Sequence, residues 1–179
     1  MKNLILTFTL LISAVSFGQT AEEYKQQILS EYNKNIILNY EKLSSIKIPL
    51  ISVTSDDVNY IPCVVNGIYD YFVFDTGCTA GLVLNMNTYK KILNTGNVLY
   101  EDYLGTSTIQ TAANNYEVVK VVVMNEVIIG QPNNAFKLNN VLAVIYNSDE
   151  GPLLFGQDII NRFSSVTIDN KNGTFIFKK

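Results

Sequence analysis

The chain has 179 residues, of which 47% are hydrophobic and 16% are charged, so it can bury a core and is not a disordered segment. Its net charge of −3 and its scattered basic residues disfavour nucleic-acid binding, which needs clustered lysine and arginine. Histidine is absent, which excludes Ser-His-Asp and Cys-His catalysis and zinc sites built on imidazole. Carboxylate chemistry is the natural remaining option for a hydrolase.

Residues 1–18 predict a secretory signal peptide. Lys2 supplies the positive start, residues 4–15 form the apolar stretch, and Ser16 and Gly18 offer small residues at the cleavage site. The apolar stretch is too short to span a bilayer comfortably, which disfavours a membrane anchor. We expect export to a periplasm or the outside, a mature chain that begins near Gln19, and no stable membrane insertion after signal removal.

Residues 19–45 predict a helical N-terminal segment. Thr20 and Glu23 form a capping-box pattern. Apolar residues then recur every three or four positions, at Tyr24, Ile28, Tyr32, Ile36, Tyr40 and Leu43. The segment could pack on the domain that follows, tether it, or act as a propeptide that covers a cleft.

A single domain is predicted for residues 46–179. Its first strand has Ile46, Ile48 and Leu50 on one face, and Pro49 indicates an edge or an end. The clearest local unit is a hairpin over residues 60–74, in which two apolar runs flank Asn66-Gly67, a strong short signal for a tight turn.

The second strand of this hairpin ends at Asp75. Strands avoid aspartate, and a buried charge is costly unless it is paired, so a carboxylate at this position is unusual. The strand would hold Asp75 rigidly where the chain emerges, and Gly77 would let the backbone turn and a ligand approach closely. The sequence Asp75-Thr76-Gly77 is therefore the candidate functional site.

The middle of the chain predicts a short helix and a second hairpin. A strand at residues 82–84 precedes a helix that Asn87-Thr88 can cap and Gly96 can end. Strands at residues 104–110 and 116–124 then flank a polar tip at residues 111–115, a composition that suits either a mobile flap or an ordinary surface hairpin.

The last third of the chain predicts more strands and one further helix. Buried strands at residues 126–130 and 141–145 are separated by a polar loop. An apolar run over residues 153–155 closes on Gly156 and passes into a short helix, where Asp158 is interpreted as a helix-start or network residue. A hairpin over residues 166–177 ends the chain.

Three features in this order resemble the single-domain, retropepsin-like aspartic proteases, in the branch found in exported bacterial proteins. They are the hairpin that delivers Asp75-Thr76-Gly77, the flap candidate, and the apolar-apolar-glycine element at Gly156 with its helix. The resemblance implies an all-β fold: a closed, mostly antiparallel barrel with one or two short helices. It implies that Asp75 is the catalytic residue, that Thr76 and Gly77 support it, and that substrate contacts Cys78, Thr79, Thr111, Ala112, Ala113 and Asn114.

The resemblance also implies an aspartic endopeptidase that acts on peptides or proteins without a cofactor or a metal. The chemistry needs two carboxylates, which share one proton because like charges about 3 Å apart cannot both ionise. The chain has one Asp-Thr-Gly, so a homodimer must supply the second Asp75. The alternative is a catalytically silent member that uses the same fold for peptide binding or dimerisation.

Cys63 and Cys78 leave two interpretations open. They could form a disulfide in an oxidising compartment, or each could fill a small buried apolar site. A nucleophilic Cys78 is disfavoured because no histidine exists to activate it.

Overall fold

The structure, a computed structural model, describes residues 43–51, 58–131 and 134–179. The signal peptide predicted for residues 1–18 lies outside the described residues, as does nearly all of the helical segment predicted for residues 19–45. The last residue of that segment, Ser45, is the first residue of a strand rather than part of a helix.

The described residues form twelve strands, two α-helices and one 3₁₀ helix. The strands are β1 (Ser45–Pro49), β2 (Tyr60–Val65), β3 (Ile68–Phe74), β4 (Leu82–Leu84), β5 (Tyr103–Gln110), β6 (Tyr116–Met124), β7 (Val127–Gln131), β8 (Asn134–Leu138), β9 (Val141–Ile145), β10 (Leu154–Phe155), β11 (Ser165–Asp169) and β12 (Thr174–Lys178). The helices are α1 (Met86–Leu93), α2 (Gln157–Ile160) and the 3₁₀ helix Tyr100–Asp102. The all-β class, with short helices as accessories, is confirmed.

The strands form two sheets, and the predicted closed barrel is wrong for the part of the chain that the structure describes. One sheet has the order β1-β12-β11, and the other has the order β5-β6-β9-β4-β10-β3-β2-β7-β8. The two ends of the larger sheet, β5 and β8, do not pair with each other. The β5–β6 hairpin explains this, because six of the eight residues of β5 are exposed, so this edge extends beyond the core instead of closing around it.

The main core lies between the two sheets. The smaller sheet contributes Ile46 and Ile48 from β1 and two phenylalanines from β12, all at most 1% exposed. Six aromatic rings form one network of ring contacts through this core, at Phe74, Phe136, Phe155, Phe163, Phe175 and Phe177. The predicted alternation in β1 is confirmed, and β1 is an edge strand, as Pro49 indicated.

The predicted first hairpin is confirmed, and its turn is anchored in the interior. Asn66 and Gly67 have φ of 44° and 89°, so both adopt the left-handed backbone that a type I′ turn requires. The Asn66 side chain is buried, accepts from the Glu126 N–H at 2.9 Å and donates to the Asn97 carbonyl at 3.0 Å. These bonds fix the hairpin, and therefore the direction in which β3 leaves the turn.

The sequence prediction missed one strand. The polar loop expected between β7 and β9 contains β8, which pairs with β7 alone among the described strands. Ala135 and Phe136 are the two buried residues of β8, and Asn134 at its start gives no strand signal. Strand β8 therefore forms because it pairs with β7 at the edge of the sheet, not because its residues favour a strand.

The predicted cap of α1 is also wrong by two residues. Asn85 is the N-cap, since its side-chain oxygen accepts from the Thr88 N–H at 2.8 Å. Its amide nitrogen donates to the Gly151 carbonyl at 3.1 Å, which links the helix to the loop before β10. Asn87 is exposed on the first turn instead.

We expect Asn85→Ala to lower the free energy of unfolding by about 1 kcal/mol, the usual cost of losing an N-cap side chain. Urea denaturation followed by circular dichroism measures this value. Asn87→Ala is the matched control and should change stability by less than about 0.5 kcal/mol, as exposed substitutions usually do. An equal loss in the two variants would contradict the assignment of the cap.

Candidate active site

Asp75 is fixed by a strand inserted between its own strand and the next one. The short strand β10 pairs in parallel with β3 and antiparallel with β4, so the loop that joins β3 to β4 passes around its end. The Asp75 N–H donates to the Phe155 carbonyl at 3.0 Å, which extends the β3–β10 ladder to the carboxylate residue itself. The backbone of Asp75 therefore belongs to the sheet, and the free loop begins after it.

The carboxylate of Asp75 is half-buried and has one internal hydrogen bond. Its Oδ1 accepts from the Gly77 N–H at 2.8 Å, and the Asp75 carbonyl accepts from the Cys78 N–H at 3.3 Å. No donor from the described part of the chain bonds the other carboxylate oxygen. A Cβ on Gly77 would lie 3.2 Å from Oδ1, so glycine lets the backbone amide approach the carboxylate closely. The carboxylate is oriented, and its second oxygen is available to a proton, a water or a partner group.

The loop after Asp75 is held against Gly156. The Gly156 N–H donates to the Gly81 carbonyl at 2.9 Å, and the Gln157 N–H donates to the Cys78 carbonyl at 2.8 Å. A Cβ on Gly156 would lie 2.3 Å from the Ala80 oxygen and 2.7 Å from the Cys78 oxygen. Glycine is therefore required at this position because a side chain would collide with these two oxygens, not because the backbone angle is unusual.

The helix after Gly156 supports the same loop. Gln157 donates from Nε2 to the Thr76 carbonyl at 2.9 Å. Asp158 lies in the first turn of α2 and pairs with Arg162 at 3.2 Å, which fits its interpretation as a helix-start and network residue. Arg162 also donates to the carbonyls of Asn139 and Asn140, so α2 joins the site to the turn before β9.

Each of the other described aspartates has hydrogen-bond or ion-pair partners of its own. Asp102 accepts from the Leu99 N–H and the Asn125 amide, and Asp149 pairs with Lys90. The remaining bonds are those of Asp70 to the Tyr71 N–H, of Asp158 to Arg162 and of Asp169 to Asn172. One chain thus provides one Asp-Thr-Gly carboxylate, that of Asp75.

The second predicted hairpin is confirmed, and the end of β5 next to its turn lies beside the Asp75 loop. β5 and β6 pair from Tyr103 to Gln110, with a bulge after Tyr103. The turn is closed by Thr111 and Asn115, and Asn114 has a φ of 61°. Ile109, one residue pair before the turn, belongs with the loop residues Cys78 and Ala80 to a small apolar cluster that is separate from the main core.

The predicted substrate-contacting residues fall into two groups. Cys78 is half-buried in that cluster, whereas Thr79 is exposed. In the hairpin, Thr111 is half-buried and the tip residues Ala112, Ala113 and Asn114 are exposed. The structure thus brings Cys78 together with Ile109 near the turn of the hairpin, whereas the side chains of the turn residues Ala112, Ala113 and Asn114 are exposed.

Both cysteines are free, so the disulfide interpretation is wrong. Cys63 lies in the main core, and Cys78 lies in the separate cluster beside the Asp75 loop. Burial raises the pKa of the Cys63 thiol well above its usual range, and burial also raises the pKa of the Cys78 thiol. Neither thiol is activated as a nucleophile.

Two surface cavities lie beside the second hairpin. One of about 340 Å³ is lined by Tyr89, Leu93, Val98, Leu99, Tyr103 and Lys120. The other, of about 230 Å³, is lined by Met86, Thr106, Val118, Val119, Lys120, Ile145 and Asn147. Neither cavity includes Asp75, so neither is the candidate active site.

The fold is similar to that in a crystal structure of a retropepsin-like aspartic protease from Rickettsia conorii. The superposition has a TM-score of 0.52 with 22% sequence identity, and it covers 74% of this chain and 89% of that chain. The fold is retropepsin-like. No protein-family model matches the sequence, and no curated protein matches it either. The evidence for this fold is therefore structural, in agreement with the resemblance drawn from the three sequence features.

In this retropepsin-like fold, two neighbours of the site carry no sequence signal. Tyr146 follows β9, and its N–H donates to the Leu84 carbonyl at 2.9 Å. Glu117 lies opposite Ile109 in the hairpin. Neither residue belongs to a motif, and only strand pairing brings them to the region of Asp75.

Two further observations concern the described residues alone. No group of three or more Cys, Asp or Glu side chains among them is placed to hold a metal ion. No helix among them is long and apolar enough to cross a membrane.

Proposed function

We propose that the protein is an aspartic endopeptidase whose active site forms across a homodimer. The observation that carries the proposal is the position of Asp75. It stands at the end of a strand locked by β10, with Oδ1 held by the Gly77 N–H and its other oxygen unbonded within the described chain. The retropepsin-like fold supports this assignment, because an aspartic protease of known structure has that fold.

The second carboxylate would come from a second copy of the chain. Each subunit supplies one Asp-Thr-Gly, and the other described aspartates have hydrogen-bond or ion-pair partners of their own. Thr76 is exposed beside Asp75, which leaves its hydroxyl available to the partner subunit across a two-fold axis. Thr76 and Gly77 then support the paired carboxylates, and the hairpin tip from Thr111 to Asn114 closes over the substrate.

The chemistry follows from two carboxylates that share one proton. The charged carboxylate takes a proton from a water molecule as the water oxygen attacks the carbonyl carbon. The protonated carboxylate donates its proton to the carbonyl oxygen, which gives a neutral tetrahedral intermediate. The C–N bond then breaks, the amine takes a proton from one carboxylate, and the hydroxyl proton returns to the other. No cofactor or metal takes part.

The test is cleavage of a mixed peptide library by the purified full chain, with products identified by mass spectrometry. We expect new termini within peptides, and we expect specific activity to fall on dilution as the dimer dissociates, in parallel with the mass measured by sedimentation. A cleanly monomeric protein with undiminished activity would refute the dimeric site. A dimer that binds peptides without cleaving them would favour the catalytically silent alternative.

We also propose that the protein is exported and acts in a periplasm or outside the cell. Support comes from the charge and apolar pattern of residues 1–18. N-terminal sequencing of the active protein should begin near Gln19. A start near residue 45 would instead indicate that residues 19–45 are removed as a propeptide.

A further inference from the structure

The small apolar cluster beside the Asp75 loop lies on the same face of the large sheet as the Asp75 side chain. Val83, Val119 and Val144 form its buried centre. In the β3–β10 pairing Val73 lies opposite Leu154, and Asp75, two residues after Val73, points to the same face. Leu154 itself packs against the cluster. The cluster is therefore an apolar floor next to the carboxylate.

Glu117 extends this face along the second hairpin. It lies directly opposite Ile109, and residues opposite each other in an antiparallel pair share a face. Ile109 packs against the apolar floor, and Val119, two residues after Glu117, is part of it. Glu117 is exposed, so its carboxylate stands at the solvent edge of the floor.

Tyr146 connects Glu117 to Asp75. It packs against the floor, and the β6–β9 register, which pairs Lys120 with Ile145, places it next to Val119. Burial raises the pKa of the Tyr146 phenol. After burial, the second-largest cause of this higher pKa is the electrostatic effect of Glu117, and Cys78 and Asp75 have smaller effects in the same direction. The phenol therefore lies within electrostatic reach of the Glu117 and Asp75 carboxylates.

We propose that Glu117 and Tyr146, above the floor formed by Val83, Val119 and Val144, are a specificity subsite for a lysine or arginine side chain of the substrate. The floor accepts the methylene stem of such a side chain. The Glu117 carboxylate pairs with its cation at the solvent edge, and the Tyr146 hydroxyl accepts a hydrogen bond from it. This inference rests on the proposed peptidase function and adds the class of side chain that the cleft selects.

The test uses three peptides that differ at one position near the scissile bond, where they carry lysine, norleucine or glutamate. Norleucine keeps the stem of lysine and removes its charge. For the wild type we expect kcat/KM to be about tenfold higher with lysine than with norleucine, and lowest with glutamate, mainly through KM. The preference should shrink with added salt, because the ion pair is at the surface.

Substitutions of Glu117 and Tyr146 then test whether these side chains cause the preference for lysine. Glu117→Gln should bring the lysine and norleucine peptides to nearly equal kcat/KM, and Glu117→Lys should reverse the order in favour of glutamate. Tyr146→Phe should weaken the preference for lysine over norleucine two- to threefold. Glu101→Gln, at another exposed carboxylate, is the matched control and should keep the full preference. An unchanged ratio of lysine to norleucine in Glu117→Gln would overturn the subsite.

A binding measurement separates this inference from the proposed function. The same three peptides, labelled for fluorescence polarisation, are titrated with Asp75→Asn protein and with Asp75→Asn combined with Glu117→Gln. Tighter binding of the lysine peptide that is lost in the double variant supports the subsite even if the wild type cleaves nothing, an outcome that would refute the peptidase alone. Equal affinities for the three peptides would overturn the subsite even if cleavage is observed.

Discussion

Replacing Asp75 by asparagine is expected to lower kcat for peptide cleavage about 10³-fold, within the range usual for loss of a general acid–base group. Asparagine has nearly the same shape, and its side-chain oxygen can still accept from the Gly77 N–H, as Oδ1 does at 2.8 Å. It cannot, however, exchange a proton with water or with the scissile carbonyl. The variant should therefore keep its fold and lose its peptidase activity. Thermal unfolding followed by circular dichroism checks that the fold is kept.

The matched control for this variant is Asp70→Asn, which makes the same chemical change on the same strand. Asp70 bonds the N–H of the adjacent Tyr71 through Oδ1, an interaction that asparagine keeps. We expect activity within about twofold of the wild type, as for most substitutions away from reacting atoms. Equal activity in Asp75→Asn and the wild type would refute the enzymatic proposal.

Mixing subunits extends the experiment to the dimer. If the dyad takes one Asp75 from each copy, a heterodimer with one Asp75→Asn subunit is inactive. A tenfold excess of this variant should then lower activity per wild-type subunit about tenfold, because random exchange leaves few intact homodimers. Activity unaffected by the excess would contradict a shared active site.

Replacing Gly156 by alanine is expected to lower the free energy of unfolding by about 3 kcal/mol, the upper end of the usual cost of overpacking. The added methyl would lie 2.3 Å from the backbone oxygen of Ala80, and hydrogen bonds from Gly156 to Gly81 and from Gln157 to Cys78 hold the two segments together. The loop that leads from Asp75 to β4 must shift to accommodate it. Activity should fall about 100-fold if the carboxylate moves by about 1 Å.

The control for this steric argument is Gly96→Ala. Gly96 has a φ of 72° and nothing within 4 Å of an added Cβ, so alanine there meets only the cost of a left-handed backbone, about 1–2 kcal/mol. Urea denaturation and peptide cleavage, measured on both variants, separate the effect of the steric contact from the effect of the backbone angle. Gly156→Ala should be the less stable variant and the one that loses activity. A smaller loss in Gly156→Ala than in Gly96→Ala would contradict the tight contact.

The local elements with strong sequence signals are the ones that the structure confirms. Asn66-Gly67 predicts its hairpin because few residues tolerate positive φ at two successive positions. The strand at Ser45–Pro49 follows from simple alternation and a proline at an edge. By contrast, β8 has two buried residues and depends on β7, so periodicity alone could not find it. The prediction for the cap of α1 is wrong because Asn85 and Asn87 carry the same local signal, whereas in the structure Asn85 caps the Thr88 N–H and contacts Gly151.

The amino-acid sequence alone predicted the β class, the hairpin that ends at Asp75 and the apolar run that closes on Gly156 before a short helix. These features depend on local backbone preferences and on contacts between neighbours in the chain. The tertiary structure decided that the sheet stays open, that the two cysteines lie in separate clusters, and that Glu117 and Tyr146 share a face with Asp75. Those outcomes depend on the pairing of strands distant in sequence, and no local pattern encodes which strands will pair.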